Sequence, residues 1–373
     1  MKRLRDDDAC PGALQVHQAA DGALARLRLP GGMIAAGQLE VLARIATEFG
    51  NGTLELTVRG NLQLRAVRDP AAVAEAAAAA GLLPSPTHER VRNIVASPLS
   101  GRAGGLADVR PWVSELDAAI RADPGLAALP GRFLFGLDDG RGDISGLAAD
   151  TGVHVLADGV ALLLAGRDTG IRIEPDEVVT ALLTVARRFV DVRGKSWRIA
   201  ELNDTSALVA DFDVTAPGGA TFPPVLRPPV GWIPQDDGRV ALGAAIPLGV
   251  LHARQAEFVA AIDAPVVITP WRSLLVCDLG EEVADTALRV LAPMGLVFDE
   301  NSPWLDISAC VGSPGCEKSL ADVRAEATRV AREEDAHRPS GHVHYVGCER
   351  ACGSPAAGQV FVATAEGFRE HSR

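Results

Sequence analysis

Leu106-Ala-Asp-Val-Arg110 recurs letter for letter as Leu320-Ala-Asp-Val-Arg324, an offset of 214 in a chain of 373 residues. Other matches follow in the same order at nearly the same spacing. Pro30-x-Gly32 with Gln38-x-Glu40 returns as Pro247-x-Gly249 with Gln255-x-Glu257, an offset of 217. Thr57 answers Thr269, Gly81-Leu82 answers Gly295-Leu296, and Ala96 answers Ala309. A period this long reads as a duplicated domain pair, because solenoid repeats run to tens of residues. Between the halves, residues 214–238 hold Pro217, Pro223, Pro224, Pro228, Pro229 and Pro234, a composition that reads as an extended linker.

Within the first half, residues 24–29 alternate like a strand. Leu39, Leu42, Ile45, Ala46 and Phe49 fall at helical spacing over residues 38–49. Residues 53–67 alternate again, and the Ala-rich stretch 71–80 reads as a helix stopped at Gly81. This β-α-β-α order is half of a ferredoxin-like sheet, and residues 240–295 repeat it. A larger α/β segment follows each time; in the second, Asp322 completes a capping pattern for a helix after Ser319. The expected class is α+β with pseudo-twofold symmetry. The expected units are 1–82 and 239–298 as ferredoxin-like half-domains, 83–213 and 299–373 as α/β segments, and 214–238 as the linker.

The formal net charge of −12 argues against a nucleic-acid surface, which needs a basic face. No apolar run is long enough to span a bilayer, so no membrane partner is expected. The charged start Met1-Lys2-Arg3-Leu4-Arg5 has no apolar stretch behind it and does not read as a secretory signal. The expected setting is cytoplasmic, where cysteines serve as ligands or catalysts more often than in disulfides.

Of the six cysteines, four cluster near the end of the sequence as Cys310-x5-Cys316 and Cys348-x3-Cys352. Both pairs sit among Gly, Pro, Ser and charged residues, which is loop chemistry. A buried structural thiol would instead have apolar neighbours. Four thiolates suit a zinc ion or a cubane iron–sulphur cluster, although a five-residue gap is long for zinc. Gly312, Pro314 and Gly315 bend the first pair's loop. A single helical turn would put Cys348 and Cys352 on one face. Cys10 and Cys277 are expected to be structural.

Several segments resemble the sirohaem nitrite and sulphite reductases. Thr57-Val-Arg59-Gly-Asn61-Leu-Gln63 is similar to that family's Thr-x-Arg-x-x-x-Gln strand. Arg92-Asn93-Ile-Val-Ala-Ser-Pro98 resembles its Arg-Asn motif, and Leu129-Pro130-Gly-Arg132-Phe133 its Leu-Pro-Arg-Lys-Phe motif. The two cysteine pairs match its cluster ligands. The resemblance implies a duplicated fold of two ferredoxin-like half-domains and two α/β segments around a tetrapyrrole pocket. It also implies a [4Fe-4S] cluster on Cys310, Cys316, Cys348 and Cys352, with Cys352 at the position that bridges to the sirohaem iron.

The departures narrow this. Where the reductases carry Lys-Phe-Lys for binding and protonating a small anion, this chain has Arg132-Phe133-Leu134. Arginine keeps the charge but is a poor proton donor, and Leu134 removes the second cation. Cys10-Pro11-Gly12, Gly50-Asn51-Gly52 and Arg59-Gly-Asn61-Leu-Gln63-Leu-Arg65 are similar to the short precorrin-3B synthase branch. That branch implies hydroxylation of precorrin-3A at C20 by dioxygen with closure of a γ-lactone, fed by an external electron donor. A compact sirohaem-dependent nitrite or sulphite reductase is the alternative, and only under it is sirohaem expected.

On the synthase reading, Arg59, Arg92 and Arg132 pair with the substrate's carboxylates, with Arg65 and Arg90 as weaker candidates. Asn61 and Gln63 share a strand face with Arg59 and are candidates to hydrogen-bond the substrate. The branch also implies a mononuclear non-haem iron, whose ligands the sequence does not name. His342-x-His344 is the nearest pattern, and a half-exposed polar strand edge explains it equally well.

Overall fold

The computed structural model describes residues 10–333, 341–355 and 357–371. The charged start and His337 lie outside the described residues. The first half contains β1 (His17–Ala19), β2 (Gly22–Leu27), β3 (Met33–Ile34), α1 (Ala36–Phe49), β4 (Thr53–Leu56), β5 (Leu62–Val67) and α2 (Pro70–Ala79). Helix α1 buries Leu39, Leu42, Ile45 and Ala46, the residues its periodicity marks. Asp69 starts α2 by accepting from the Ala72 N–H, with Pro70 in the first turn where a missing N–H costs nothing.

The alternation over residues 53–67 is broken by a tight turn. Gly60 N–H donates to the Thr57 carbonyl at 3.1 Å, and Gly60 adopts φ +65°. Arg59 therefore sits on a hairpin turn and does not share a strand face with Asn61 and Gln63.

The first α/β segment contains β6 (Ile94–Ala96), α3 (Arg110–Ala122), β7 (Phe135–Asp138), β8 (Thr151–Leu156), β9 (Gly159–Leu164), β10 (Arg167–Ile173) and α4 (Val178–Val192). The second half contains β11 (Gly231–Pro234), β12 (Val240–Ala245), β13 (Val250–His252), α5 (Ala253–Ala260), β14 (Val266–Ile268), β15 (Ser273–Leu279) and α6 (Glu281–Leu291). The last segment contains β16 (Ile307–Ala309), α7 (Val323–Ala331), β17 (Val343–Val346), β18 (Gln359–Thr364) and β19 (Gly367–Glu370). The two copies of Leu-Ala-Asp-Val-Arg run into the starts of α3 and α7.

Sheet order makes the duplication explicit. One half-domain sheet runs β1-β2-β5-β4-β13 and the other β11-β12-β15-β14-β3. Each half completes the other's sheet: Val250, Leu251 and His252 pair with Glu55, Leu54 and Thr53, while Met33 and Ile34 pair with Val267 and Val266. A single hydrophobic core joins Leu27, Leu42 and Leu62 to Leu242, Val259 and Leu274. The fold is α+β, a duplicated arrangement of two half-domains and two α/β segments.

The proline-rich stretch is not a linker throughout. Its residues Gly231–Pro234 form β11, the counterpart of β1, and pair antiparallel with β12. Prolines are tolerated there because β11 is an edge strand. Among the described residues, no helix is long and apolar enough to cross a membrane.

The crossing between halves leaves no room for side chains. Gly32 adopts φ +70°, and a Cβ there would lie 1.9 Å from the Ile268 carbonyl oxygen. Gly32→Ala should therefore destabilise the protein by about 2 kcal/mol or more, the scale of a left-handed backbone combined with a backbone clash. Gly37, exposed in the first turn of α1 with open space around it, is the control. Gly37→Ala should be neutral or stabilise by up to about 1 kcal/mol. Denaturant melts of the two variants test the contrast, and equal stabilities would mean that the halves do not meet this closely.

Candidate functional site

Strands β16 and β17 are parallel neighbours, with Ile307 opposite Val343 and Ala309 opposite Tyr345. Parallel strands end at the same edge of a sheet, so the loops that follow them emerge side by side. The first of these loops begins at Cys310 and the second at Gly347-Cys348. Cys310 N–H donates to the Tyr345 carbonyl at 2.9 Å, and Leu320 N–H to the Gly347 carbonyl at 2.9 Å. The Gly347 N–H points at Cys310 Sγ from 3.4 Å. Only glycine fits at 347, where a Cβ would fall 1.8 Å from Ser319 Oγ.

The four thiols converge. Burial holds the Cys352 thiol above its ordinary value, and Cys310, Cys348 and Cys316 lie close enough to push it further the same way. Cys348 and Cys352 do not share a helical turn. Ala351 between them takes φ +47°, so the chain folds back in an irregular turn, with Ala351 N–H on the Cys348 carbonyl at 3.1 Å. Tetrahedral zinc with sulphur at about 2.3 Å would draw its four sulphurs to about 3.8 Å from one another. Among the described residues no three of these thiols lie within 4.8 Å of one another. The thiols are therefore not drawn to the spacing of a single tetrahedral zinc ion.

A cavity of about 430 Å³ adjoins these loops, within the size range of small-molecule sites. Its wall includes the hairpin turn at Arg59, Leu134 with the 146–148 loop, Arg198, the proline stretch at 224–228, the turn at Ile246 to Gly249, the turn at Trp271-Arg272, and the cysteine segment at Ser308, His342, Gly353 and Ser354. The proline stretch is tied down by Trp271 Nε1 donating to the Val225 carbonyl at 2.7 Å, and by Arg227 on Asp306. The wall is apolar at Leu134, Ile246, Trp271 and Trp304 and cationic at Arg59, Arg198 and Arg272.

The cations are poorly compensated. Arg198 pairs with Asp150 at 2.6 Å, and burial raises that carboxyl despite the pairing. Burial lowers Arg59 to about 10, helped by the neighbouring Arg198. Behind it, Arg28 is 2% exposed, and its Nε and Nη1 have no hydrogen-bond partner. Burial, with Arg26 beside it, holds Arg28 at about 9. Cys10 lies near Arg26, Arg28 and Arg59. Cys277 is buried among Leu99, Ala241, Val267 and Leu275, and burial pushes its thiol up to about 11.

Of the residues expected at the substrate, only Arg59 lines the cavity. Arg92 is buried on Asp117 at 2.5 Å, anchoring α3. Arg132 is exposed and lies over Trp197, 5.4 Å from the ring centre. Its neighbour Leu134 takes the place on the cavity wall. Asn61 accepts from the Leu29 N–H at 2.8 Å and reaches Asn93, which holds the Gly131 carbonyl. Gln63 bridges Arg26 and Glu55. These amides fix the frame around Arg59 and do not line the cavity. Arg65 is buried on Asp21 and donates to the Gly315 carbonyl at 2.7 Å, so it ties the first half to the Cys316 loop. Arg90 reaches the Cys10 carbonyl at 3.5 Å.

Sequence reading missed Arg28, Arg198 and Arg272, which belong to no stated motif. Only the fold brings them to Arg59.

His342 and His344 both bond Ser308 Oγ at 2.8 Å, and His344 Nε2 also meets the Cys352 carbonyl at 3.0 Å. With both ring nitrogens engaged, His344 is not poised as a metal ligand. Strand β17 is internal to its sheet, so these residues are not on an exposed edge. Among the described residues, Asp138, Asp139 and Asp143 alone meet as three metal-ligating groups. They lie at the end of β7 and in the loop that follows it, at the strand edge that corresponds to the cysteine edge of β17, with Ser97 after β6 beside them. Their oxygens are taken: Asp138 accepts four N–H groups, Asp139 holds Arg141 and Asp143 holds Ser97. A larger groove of about 840 Å³ lies beyond the 313–315 loop. There Arg65, Arg324 and Arg329 are already paired with Asp21, Glu55 and Glu326.

A buried guanidinium with unmet donors opposes folding and favours an anion. Arg28→Met should therefore raise stability by about 1–3 kcal/mol while weakening binding of a polycarboxylate ligand. Thermal melts and equilibrium binding on the same preparation check both signs; a less stable variant would mean that Arg28 is already compensated.

Residues 17–80 match the model of the nitrite/sulphite reductase ferredoxin-like half domain. A precorrin-3B synthase from Sinorhizobium sp is 27% identical over 375 residues, covering 94% of this chain and 79% of that protein. A ferredoxin–nitrite reductase from Synechococcus elongatus is 25% identical, covering 90% and 75%. The solved structure of Mycobacterium tuberculosis NirA superposes with a TM-score of 0.78 at 20% identity, over 93% of this chain and 73% of that one. Half-domain match, full-length relatives and shared architecture together place the chain in the nitrite/sulphite reductase superfamily.

Proposed function

We propose that the chain is a precorrin-3B synthase: precorrin-3A, dioxygen, two electrons and two protons give precorrin-3B and water. One oxygen atom enters as the C20 hydroxyl, the other leaves as water, and the ring-A acetate closes a γ-lactone. An external donor supplies the electrons. The observation that carries this reading is the cavity itself. It is apolar where a tetrapyrrole face would lie, and cationic at Arg59 and Arg198 where carboxylates would lie. At Leu134 it lacks the second cation a small oxyanion would need.

Cys310, Cys316, Cys348 and Cys352 are the residues that would hold a [4Fe-4S] cluster. When bound, such a cluster supplies single electrons beside the cavity wall at Gly353 and Ser354. The described residues bring no three metal-ligating groups together at the cavity for a mononuclear iron. Arg59 and Arg198 bind and orient the substrate through charge-assisted hydrogen bonds, strengthened because Leu134, Ile246, Trp271 and Trp304 keep water away. The proline stretch at 224–228 covers the bound molecule.

Serine at any one of the four clustered cysteines should remove protein-bound iron and sulphide, whereas Cys277→Ala should leave both in place. Cluster loss from Cys277→Ala together with a cluster-loaded Cys316→Ser would refute the ligand assignment. Arg59→Ala should weaken tetrapyrrole binding by about 1.5–3 kcal/mol with the metal content unchanged. An unaltered affinity would place the substrate elsewhere.

The reaction is tested directly with labelled dioxygen. Precorrin-3A should gain one labelled oxygen atom, in the C20 hydroxyl, while the lactone ring oxygen stays unlabelled. Sulphite or nitrite with a strong reductant should give negligible turnover. Rapid nitrite or sulphite reduction with no oxygen gained by precorrin-3A, accompanied by the visible bands of sirohaem, would replace this reading with the reductase one.

A further inference from the structure

We infer that Arg272 is a positioning residue that holds up the reduction potential of the centre on Cys310, Cys316, Cys348 and Cys352. The inference rests on the cluster reading above. Arg272 lies on the turn between β14 and β15, the counterpart of the Arg59 turn, and adopts φ +58°. Its N–H donates to the Thr269 carbonyl at 3.2 Å. Its stem crosses Gly249, where a Cβ would come within 2.9 Å of Arg272 Cδ.

The guanidinium then reaches both cysteine loops. Nη1 donates to the Ala309 carbonyl at 3.3 Å, one residue before Cys310. Nη2 donates to the Gly353 carbonyl at 3.5 Å, one residue after Cys352. Gly353 leaves the space this needs, since a Cβ there would lie 2.6 Å from Nη2. One cation therefore bridges two loops that are otherwise joined through Gly347 and Leu320.

Carbonyl groups satisfy hydrogen bonds but do not cancel charge. Arg324, the other cation nearby, is already paired with Glu55. Glu55 also lies near Arg272 and takes up part of its charge, and the remainder acts on the Cys310 thiol. Burial opposes that charge, yet a guanidinium stays protonated under these conditions. Reduction adds one negative charge to a group of four thiolates. A half-buried cation beside it stabilises the reduced form more than the oxidised form, because water screens it only in part. Removing the cation must therefore shift the potential to more negative values.

Native protein, Arg272→Gln and Arg272→Lys are to be compared by iron and sulphide analysis and by a redox titration followed by electron paramagnetic resonance. The Gln variant should keep its cluster but show at least a tenfold excess of the oxidised form at the native midpoint, a shift of about 59 mV for a one-electron couple. The Lys variant should titrate close to native. A cluster-loaded Gln variant with the native midpoint overturns the inference and leaves the cluster reading standing. A Lys variant displaced as far as Gln also overturns it, because geometry and not charge would then be responsible. Should the Gln variant lose its cluster, the Lys variant decides alone: a native midpoint supports the inference and a displaced one ends it. Native protein without iron and sulphide defeats the cluster reading, and this inference with it.

Discussion

The exchange of strands between the two halves is the constraint on which the rest of the structure depends. β3 crosses to the second sheet and β13 to the first, so neither sheet is complete without the other half. The crossing requires backbone against backbone, and Gly32 meets the Ile268 carbonyl where no side chain fits. Because the halves are locked face to face, their equivalent hairpin turns, at Arg59 and at Arg272, are carried to the same cavity. A duplicated motif thus becomes a pair of cations facing one space.

The α/β segments apply the same logic to their strand ends. In both, neighbouring parallel strands finish at one edge and deliver their loops together. The end of β7 and its loop carry Asp138, Asp139 and Asp143, closed upon their own N–H groups, Arg141 and Ser97 from the loop after β6. After β16 and β17 the loops carry thiols whose spacing leaves room between them. One geometry supports a self-satisfied acidic knot on one side and an open ligand set on the other.

The cavity runs against the usual economy of a folded core. Arg28 is buried with donors unmet, and Arg59 is desolvated beside Arg198, which pairs with Asp150. Burial of unpaired charge opposes folding by several kcal/mol per ion, on the order of magnitude typical of protein interiors. Such an arrangement is stable only because the surrounding frame is over-determined. Asn61 on Leu29, Gln63 between Arg26 and Glu55, and Arg65 on Gly315 are among the bonds that make it so. Anionic ligand groups complete the balance that the chain leaves open.

The sequence by itself determined the duplication, the α+β class, the helices α1, α2 and α7 with the stop of α2 at Gly81 and the involvement of Asp322 in the α7 cap, and the clustering of four cysteines in loops. These are local or periodic signals, readable because 3.6-residue and two-residue patterns, turn glycines and ligand spacings need no partner from elsewhere. It also marked Arg59. Tertiary structure alone decided which other cations reach the cavity. Arg92 is buried on Asp117 and Arg132 is exposed over Trp197, both away from the cavity, while Arg198 and Arg272, which belong to no stated motif, line it and Arg28 lies buried behind Arg59. It also split the run at 53–67 into a hairpin and turned the end of the proline stretch into β11, because a strand exists only once a neighbour pairs with it. Charge placement and strand pairing are settled between segments, some neighbouring and some, like β4 and β13, in opposite halves, and the pattern of one segment does not encode its partner.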